Sequence, residues 1–153
     1  MKLVWEFIRK PAGIKFLLVR AMFWSLYYRY IIQKRPFASY SSEMGTFKYE
    51  TPETEISDRR IEDVRWAVYA VRRWMPWSTK CFDRALTAKR LLNDYGLPCT
   101  LYMGVAPENG NGMEAHAWLR CGTEYVSGGN GAGYAVTGIY GDSSDKENIK
   151  NVG

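Results

Sequence analysis

Residues 78–105 run STKCFDRALTAKRLLNDYGLPCTLYMGV, and the change of period inside this stretch decides the fold class. Ser78 is a residue type that caps helix N-termini, and a helix is predicted from about Thr79 to Tyr95. Cys81, Ala85, Ala88 and Leu92 recur at helical spacing, so one stripe of small and apolar side chains can sit close to a neighbour. Gly96 and Pro98 supply the stop. The period then drops to two: Leu101, Met103 and Val105 alternate with Thr100, Tyr102 and Gly104, the pattern of a strand.

Strands continue downstream of this switch. A Gly/Asn/Pro loop over 106–112 leads to a second alternating run, Met113 to Cys121. Gly122-Thr123 has hairpin-turn chemistry, and a short strand is expected at Glu124–Ser127. A glycine-rich loop, Gly128–Gly133, precedes a last strand at about Tyr134–Tyr140. Helices lie upstream. Ser57-Asp58 starts one carrying Ile61, Val64, Ala67, Val68, Val71 and Trp74 on one face, and Pro76 breaks it. Residues 1–10 form a helix, Pro11 and Gly13 punctuate, and a longer helix runs to about Gln33 before Pro36.

The expectation is an α+β fold, with N-terminal helices followed by a small antiparallel sheet. One domain of 153 residues is expected, with a helical region and connection over 1–56, a catalytic part over 57–141 and a disordered tail over 142–153.

Composition narrows the function classes. A hydrophobic fraction of 46% and a charged fraction of 24% suit a globular core that needs no disulfide staples. The net charge of +5 comes without zinc-finger spacing or an Arg/Gly-rich tract, so no nucleic-acid partner is expected. Three cysteines, Cys81, Cys99 and Cys121, with no CxxC and no signal peptide, indicate free thiols, a reducing compartment and a cytoplasmic location. One histidine and scattered cysteines fit no zinc spacing, so neither metal nor cofactor is expected. Residues 13–32 are largely apolar, but Lys15, Arg20 and Arg29 interrupt them. They suit an amphipathic or mostly buried helix better than a membrane span, with surface contact to a membrane the lesser alternative.

Two residues have the chemistry for catalysis. In the first turn of its helix, Cys81 faces unpaired backbone N–H groups and the positive end of the helix dipole, and Lys80 adds a charge; all three favour a thiolate. The competing reading is a small buried hydrophobe. His116 falls on the polar face of its strand, with Glu114, Trp118 and Arg120, away from Met113, Ala115, Ala117, Leu119 and Cys121. A lone histidine is more often structural than catalytic, but it is the chain's single histidine, so a cysteine that needs an imidazole base has one choice. Cys99 and Cys121 lack a helix N-terminus and are expected to be structural.

The run Trp74-Met75-Pro76-Trp77-Ser78-Thr79-Lys80-Cys81-Phe82-Asp83-Arg84-Ala85-Leu86 resembles the nucleophile helix of lasso-peptide leader peptidases, within the transglutaminase-like branch of the papain-like cysteine proteases. Leu91-Leu92, Gly96, the strand Leu101-Tyr102-Met103-Gly104-Val105 and the segment His116-Ala117-Trp118-Leu119 match in order, and Phe16–Gln33 with Pro36-Phe37 resembles the N-terminal region. The resemblance covers roughly residues 14–140. It implies a cysteine peptidase that removes the leader of a ribosomally made lasso-peptide precursor. A separate leader-binding (recognition-element) protein and an ATP-dependent cyclase would be its partners. The N-terminal residues suggest helix rather than a fused β-rich leader-binding domain, which fits a stand-alone peptidase half.

The family's Cys–His–Asp arrangement implies an Asp twelve residues after the histidine, where this chain has Gly128. The group that orients His116 is then Asn130 as first choice, or the Ser127 hydroxyl, a backbone carbonyl or a water. The Cys81 backbone N–H is the natural oxyanion donor, with the Trp77 indole a second candidate. Trp118, Arg120 and the glycine-rich loop are expected to border a substrate groove. Two other functions fit the same residues: a Cys–His acyltransferase or transglutaminase with an amine acceptor, and a non-catalytic scaffold that binds the precursor.

Overall fold

Helices come first along the chain and strands follow, as the switch at Gly96 predicts. The computed structural model describes residues 2–143. Four helices, α1 (Lys2–Arg9), α2 (Ala12–Lys34), α3 (Arg59–Trp74) and α4 (Cys81–Asp94), precede most of a five-stranded antiparallel sheet. Its strands are β1 (Thr46–Phe47), β2 (Cys99–Pro107), β3 (Met113–Cys121), β4 (Glu124–Ser127) and β5 (Ala135–Gly141), in the order β1-β5-β2-β3-β4. The architecture is α+β.

One face of the sheet carries the main core. Leu101 of β2, Leu119 of β3 and Val126 of β4 are buried against Val64, Val68 and Val71 of α3 and Ala85, Leu91 and Leu92 of α4. The small residues Ala85 and Ala88 let α4 lie close to β3. From α2, Leu17, Leu18, Ala21, Tyr28 and Ile31 close the same core from outside the α3–α4 pair. Each such aliphatic side chain contributes about 1.5–3 kcal/mol when fully buried.

The other face of the sheet is covered by the chain itself. Residues 36–56, expected to be a connection, contain two short 3-10 turns and β1, which pairs with β5 through Thr46↔Gly141 and Phe47↔Tyr140. Beyond β1 the chain straps across β2 and β3. Thr51 N–H donates to Thr100 Oγ1 at 2.9 Å, and the two threonine hydroxyls lie 2.6 Å apart. Arg120 pins the strap: its guanidinium donates to Thr51 O at 2.7 Å, Gly122 O at 2.6 Å, Tyr102 Oη at 2.9 Å and Glu50 at 3.2 Å.

Two boundaries differ from expectation. Helix α4 begins at Cys81 with Lys80 as its N-cap, not with Ser78. The stretch before it is drawn onto α2 instead, where Arg29 donates to Ser78 O and the Trp77 indole N–H donates to Ser25 Oγ at 3.3 Å. The tail expected to be disordered from residue 142 is ordered at its start. Asp142 accepts from Lys89, from Asn93 at 2.6 Å and from the Cys99 backbone N–H at 2.9 Å. The rest of that expected tail, 144–153, lies outside the described residues.

Candidate active site

Cys81 is half-buried and occupies the first position of α4. The first-turn N–H groups of a helix have no intrahelical acceptor, so its own N–H is free of the helix ladder. Asp83, two residues on, turns its carboxyl toward the backbone N–H groups of Lys80 and Arg84 at the start of the helix, and its Oδ1 has no hydrogen-bond partner among the described residues. Asp83 is buried, and its carboxyl is pushed above the usual carboxylate range by burial, against the lowering effect of the Lys80 N–H. Its role was not visible in the sequence, although an acidic residue three positions after an N-cap is a known signal.

His116 stands on β3 opposite Gly104 of β2, on the sheet face away from the main core. Its Nε2 lies 2.6 Å from Gly128 O. A carbonyl only accepts, so Nε2 carries a proton, and the neutral ring with this contact has Nδ1 as its basic nitrogen. The ring also packs at 4.7 Å from Tyr134 and 5.9 Å from Trp118, which are themselves 6.2 Å apart, so the three rings form a triangle. Tyr102 extends the stack beyond Trp118, at 5.5 Å and nearly parallel. Four rings thus form one cluster on this face.

The candidate base is therefore oriented by a backbone carbonyl and not by Asn130. The Asn130 side chain is exposed and closes its own turn, its Oδ1 accepting from Ala132 N–H at 3.1 Å. Ser127 is buried on the far side of the turn, and its hydroxyl has no partner among the described residues. Glycine is required at 128 for two reasons. Its φ of +77° is a conformation L side chains rarely adopt, and a Cβ would fall 2.9 Å from Trp118 Cα and closer still to the Ala117 carbonyl. The position that should carry Asp in the resembling family has no room for one here.

Gly128 is held on both sides of its Cα. Its N–H donates to the Tyr69 hydroxyl at 3.4 Å, and the ring of Tyr69 carries the Arg84 guanidinium over it at 5.2 Å. Arg84 sits three residues after Cys81 on α4. A continuous path thus connects the helix of the thiol to the ring of the histidine, through Arg84, Tyr69 and Gly128. Beyond Tyr69, Trp66, Arg72 and Arg73 line an open groove of about 440 Å³ on the outer face of α3.

Tyr134 ties the two candidates together. It stacks on His116, and burial together with the charges of Glu114 and Cys81 pushes its phenol above the usual tyrosine range. The thiol is thus within electrostatic reach of a ring in contact with the imidazole. No hydrogen bond joins Cys81 to His116 among the described residues. Tyr134 carried no sequence signal of its own; the glycine loop folds it back.

Other expectations are corrected. Arg120 is 1% exposed and serves the strap, and Trp118 is buried in the ring stack, so neither borders an open groove. The Trp77 indole is committed to Ser25 and is not free to serve an oxyanion. Cys99 and Cys121 are buried opposite each other in the β2–β3 register, and burial pushes the Cys99 thiol well up. Among the described residues no group of three or more His, Cys, Asp or Glu is placed to hold a metal, and no helix is long and apolar enough to cross a membrane.

Comparison with known protein families gives a match to the model of the transglutaminase-like superfamily over residues 29–139, more than half of the chain. The matched segment includes both Cys81 and His116. No curated protein and no solved structure matches the chain.

Proposed function

The chain belongs to the transglutaminase-like superfamily, and from that premise we propose that it is a cysteine peptidase in which Cys81 is the nucleophile and His116 the base. Cys81 Sγ attacks the scissile carbonyl, and His116 Nδ1 takes the thiol proton and returns it to the leaving amine. The backbone N–H of Cys81 receives the oxyanion. Water, deprotonated by the same Nδ1, then hydrolyses the thioester and regenerates the thiol.

The observation that carries this reading is the fixed tautomer of His116. Its Nε2–H is spent on the Gly128 carbonyl at 2.6 Å, so the nitrogen left for proton transfer is Nδ1. An Asp in this role would also stabilise the imidazolium by charge. A carbonyl orients and stabilises by its dipole alone, and a thiol needs less help than a hydroxyl.

The substrate we propose is the leader of a ribosomally made lasso-peptide precursor, presented by a separate leader-binding protein, with an ATP-dependent cyclase acting on the product. The motif around Cys81 and the His116-Ala117-Trp118-Leu119 strand support it. The cationic, aromatic groove beside Tyr69 offers an extended peptide a surface next to the glycine loop. Three free thiols suit the cytoplasm.

Cleavage of the cognate precursor, with its leader-binding partner present, by wild type and by Cys81→Ala tests the proposal. Wild type should release the leader and Cys81→Ala should not; equal cleavage by both would remove Cys81 from the mechanism. The superfamily also suits acyl transfer, where an amine replaces water at the same thioester. Product masses separate the two, since transfer adds the mass of the amine to the acyl fragment.

A further inference from the structure

Helix α2 is apolar on two opposite faces. One packs into the core through Leu17, Leu18, Ala21, Tyr28 and Ile31. The other is bare: Phe16, Val19, Phe23, Leu26 and Tyr30 recur at helical spacing and are 65%, 58%, 61%, 46% and 59% exposed. At 1.5 Å per residue, this stripe runs along most of a helix roughly 34 Å long. Trp5 and Ile8 of α1 are exposed to a similar degree. A contiguous apolar surface of this extent marks an interaction site.

The charge around the stripe bears on what covers it. The first 42 residues hold eight basic side chains and one carboxylate, Glu6, a formal +7; the remaining 13 basic and 15 acidic residues carry −2. The positive charge of the molecule therefore belongs to the segment that bears the stripe. Lys15 and Arg20 flank the stripe on opposite sides of the helix, Arg20 being ion-paired to Asp94 of α4, and Lys34 closes its C-terminal end. An aromatic row on a segment of net positive charge is complementary to lipid acyl chains beneath anionic headgroups.

We propose that α2, assisted by α1, seats this protein on the surface of an anionic bilayer, with α2 in the plane of the interface and the sheet directed away from it. No helix is long and apolar enough to span the bilayer, so the association is peripheral. This proposal is independent of the catalytic assignment.

Sedimentation of the full chain with lipid vesicles tests it. Vesicles of equal parts phosphatidylglycerol and phosphatidylcholine should carry the protein down and shift its tryptophan emission to the blue, because Trp5 leaves water. Pure phosphatidylcholine should bind at least roughly ten-fold more weakly. The double variant Phe16→Ser with Phe23→Ser removes two side chains that the fold does not bury, and circular dichroism should match wild type. It should bind the anionic vesicles at least about ten-fold more weakly. No sedimentation with anionic vesicles would overturn the proposal, and so would unchanged binding by the double variant. Light scattering that shows a dimer of the wild type and a monomer of the double variant would overturn it too, by assigning the stripe to a second copy.

Discussion

The carbonyl oxygen of Gly128 accepts the Nε2–H of His116 at 2.6 Å, and a residue without a side chain thereby sets the tautomer of the only histidine. In triad and papain-like sites a carboxylate or an amide side chain holds the catalytic imidazole. Here the peptide group of Gly128 serves, because its φ of +77° turns the carbonyl back toward β3.

Restoring a carboxylate at this position should therefore fail. Gly128→Asp forces a Cβ against the backbone of Ala117 and Trp118 and a positive φ onto a substituted residue. We expect a stability loss of about 1–3 kcal/mol, read in urea denaturation. Precursor cleavage at a temperature where the variant is folded should fall by roughly 100-fold or more, since a small displacement of the base is enough. Activity equal to or above wild type would show that the carbonyl does not matter.

Tyr69 is the second support of the same residue. Tyr69→Phe keeps the ring under Arg84 and removes only the acceptor of the Gly128 N–H. The expected cost is about 0.5–1.5 kcal/mol of stability. In turnover, kcat should drop several-fold with KM little changed, and the acidic limb of the pH–rate profile should move. A uniform change in KM with an unmoved profile would make Tyr69 merely structural.

Asp83 carries a pH signature. Burial holds its carboxyl above the normal range, so ionising it costs the folded state more than the unfolded chain. Its contribution is most favourable below the unfolded carboxylate range and is lost as pH rises through the raised folded value. Asp83→Asn keeps an acceptor for the Lys80 N–H and abolishes the ionisation. It should raise Tm by roughly 2–4 °C near pH 7, and that gain should vanish in acid. Thermal melts of both proteins across pH 3–8, read by circular dichroism, give the comparison.

Arg120 holds the strap. Arg120→Ala would leave Thr51 O, Gly122 O and the Tyr102 hydroxyl without their buried donor, and should cost about 3–5 kcal/mol in denaturant melts. Arg120→Lys should recover little of this, because one ammonium cannot reach acceptors arranged for a planar fork.

Much of the scaffold was legible in residue spacing. The change of period at Gly96 gave the helix-then-sheet order, and Asp58 before Ile61 gave the start of α3, where its side chain accepts from Arg60 N–H at 2.9 Å. Cys81 and His116 were nominated from a helix start and a strand face, and the structure places them there. What spacing did not reveal came from tertiary contact. Ser78 looks like a cap, but Arg29 and Trp77 pull its neighbourhood onto α2 and delay the helix to Cys81. Two residues, Thr46 and Phe47, are too few to show alternation, so spacing alone does not separate β1 from the surrounding connection. A backbone carbonyl near Gly128 is among the candidates that spacing leaves open, but Asn130, two residues on, offers a side chain and so ranks ahead of it. The polar face of β3 suggests solvent or substrate beside Trp118 and Arg120, but a strap from nearly fifty residues upstream of β2 covers them.

Asp142 bears on where this chain can be cut. Its carboxylate is the counter-charge of Lys89, which is 2% exposed, and it also accepts from the backbone of Cys99 at the start of β2. A version trimmed at Gly141 would keep every strand and still bury an ammonium facing only the Asn93 amide. Trimmed at Ser143, it keeps the lock and the Ser143–Thr46 hydroxyl contact that secures β1. A protease nicking between Gly141 and Asp142 would thus loosen the sheet at the edge opposite β4, while leaving all five strands in the fragment.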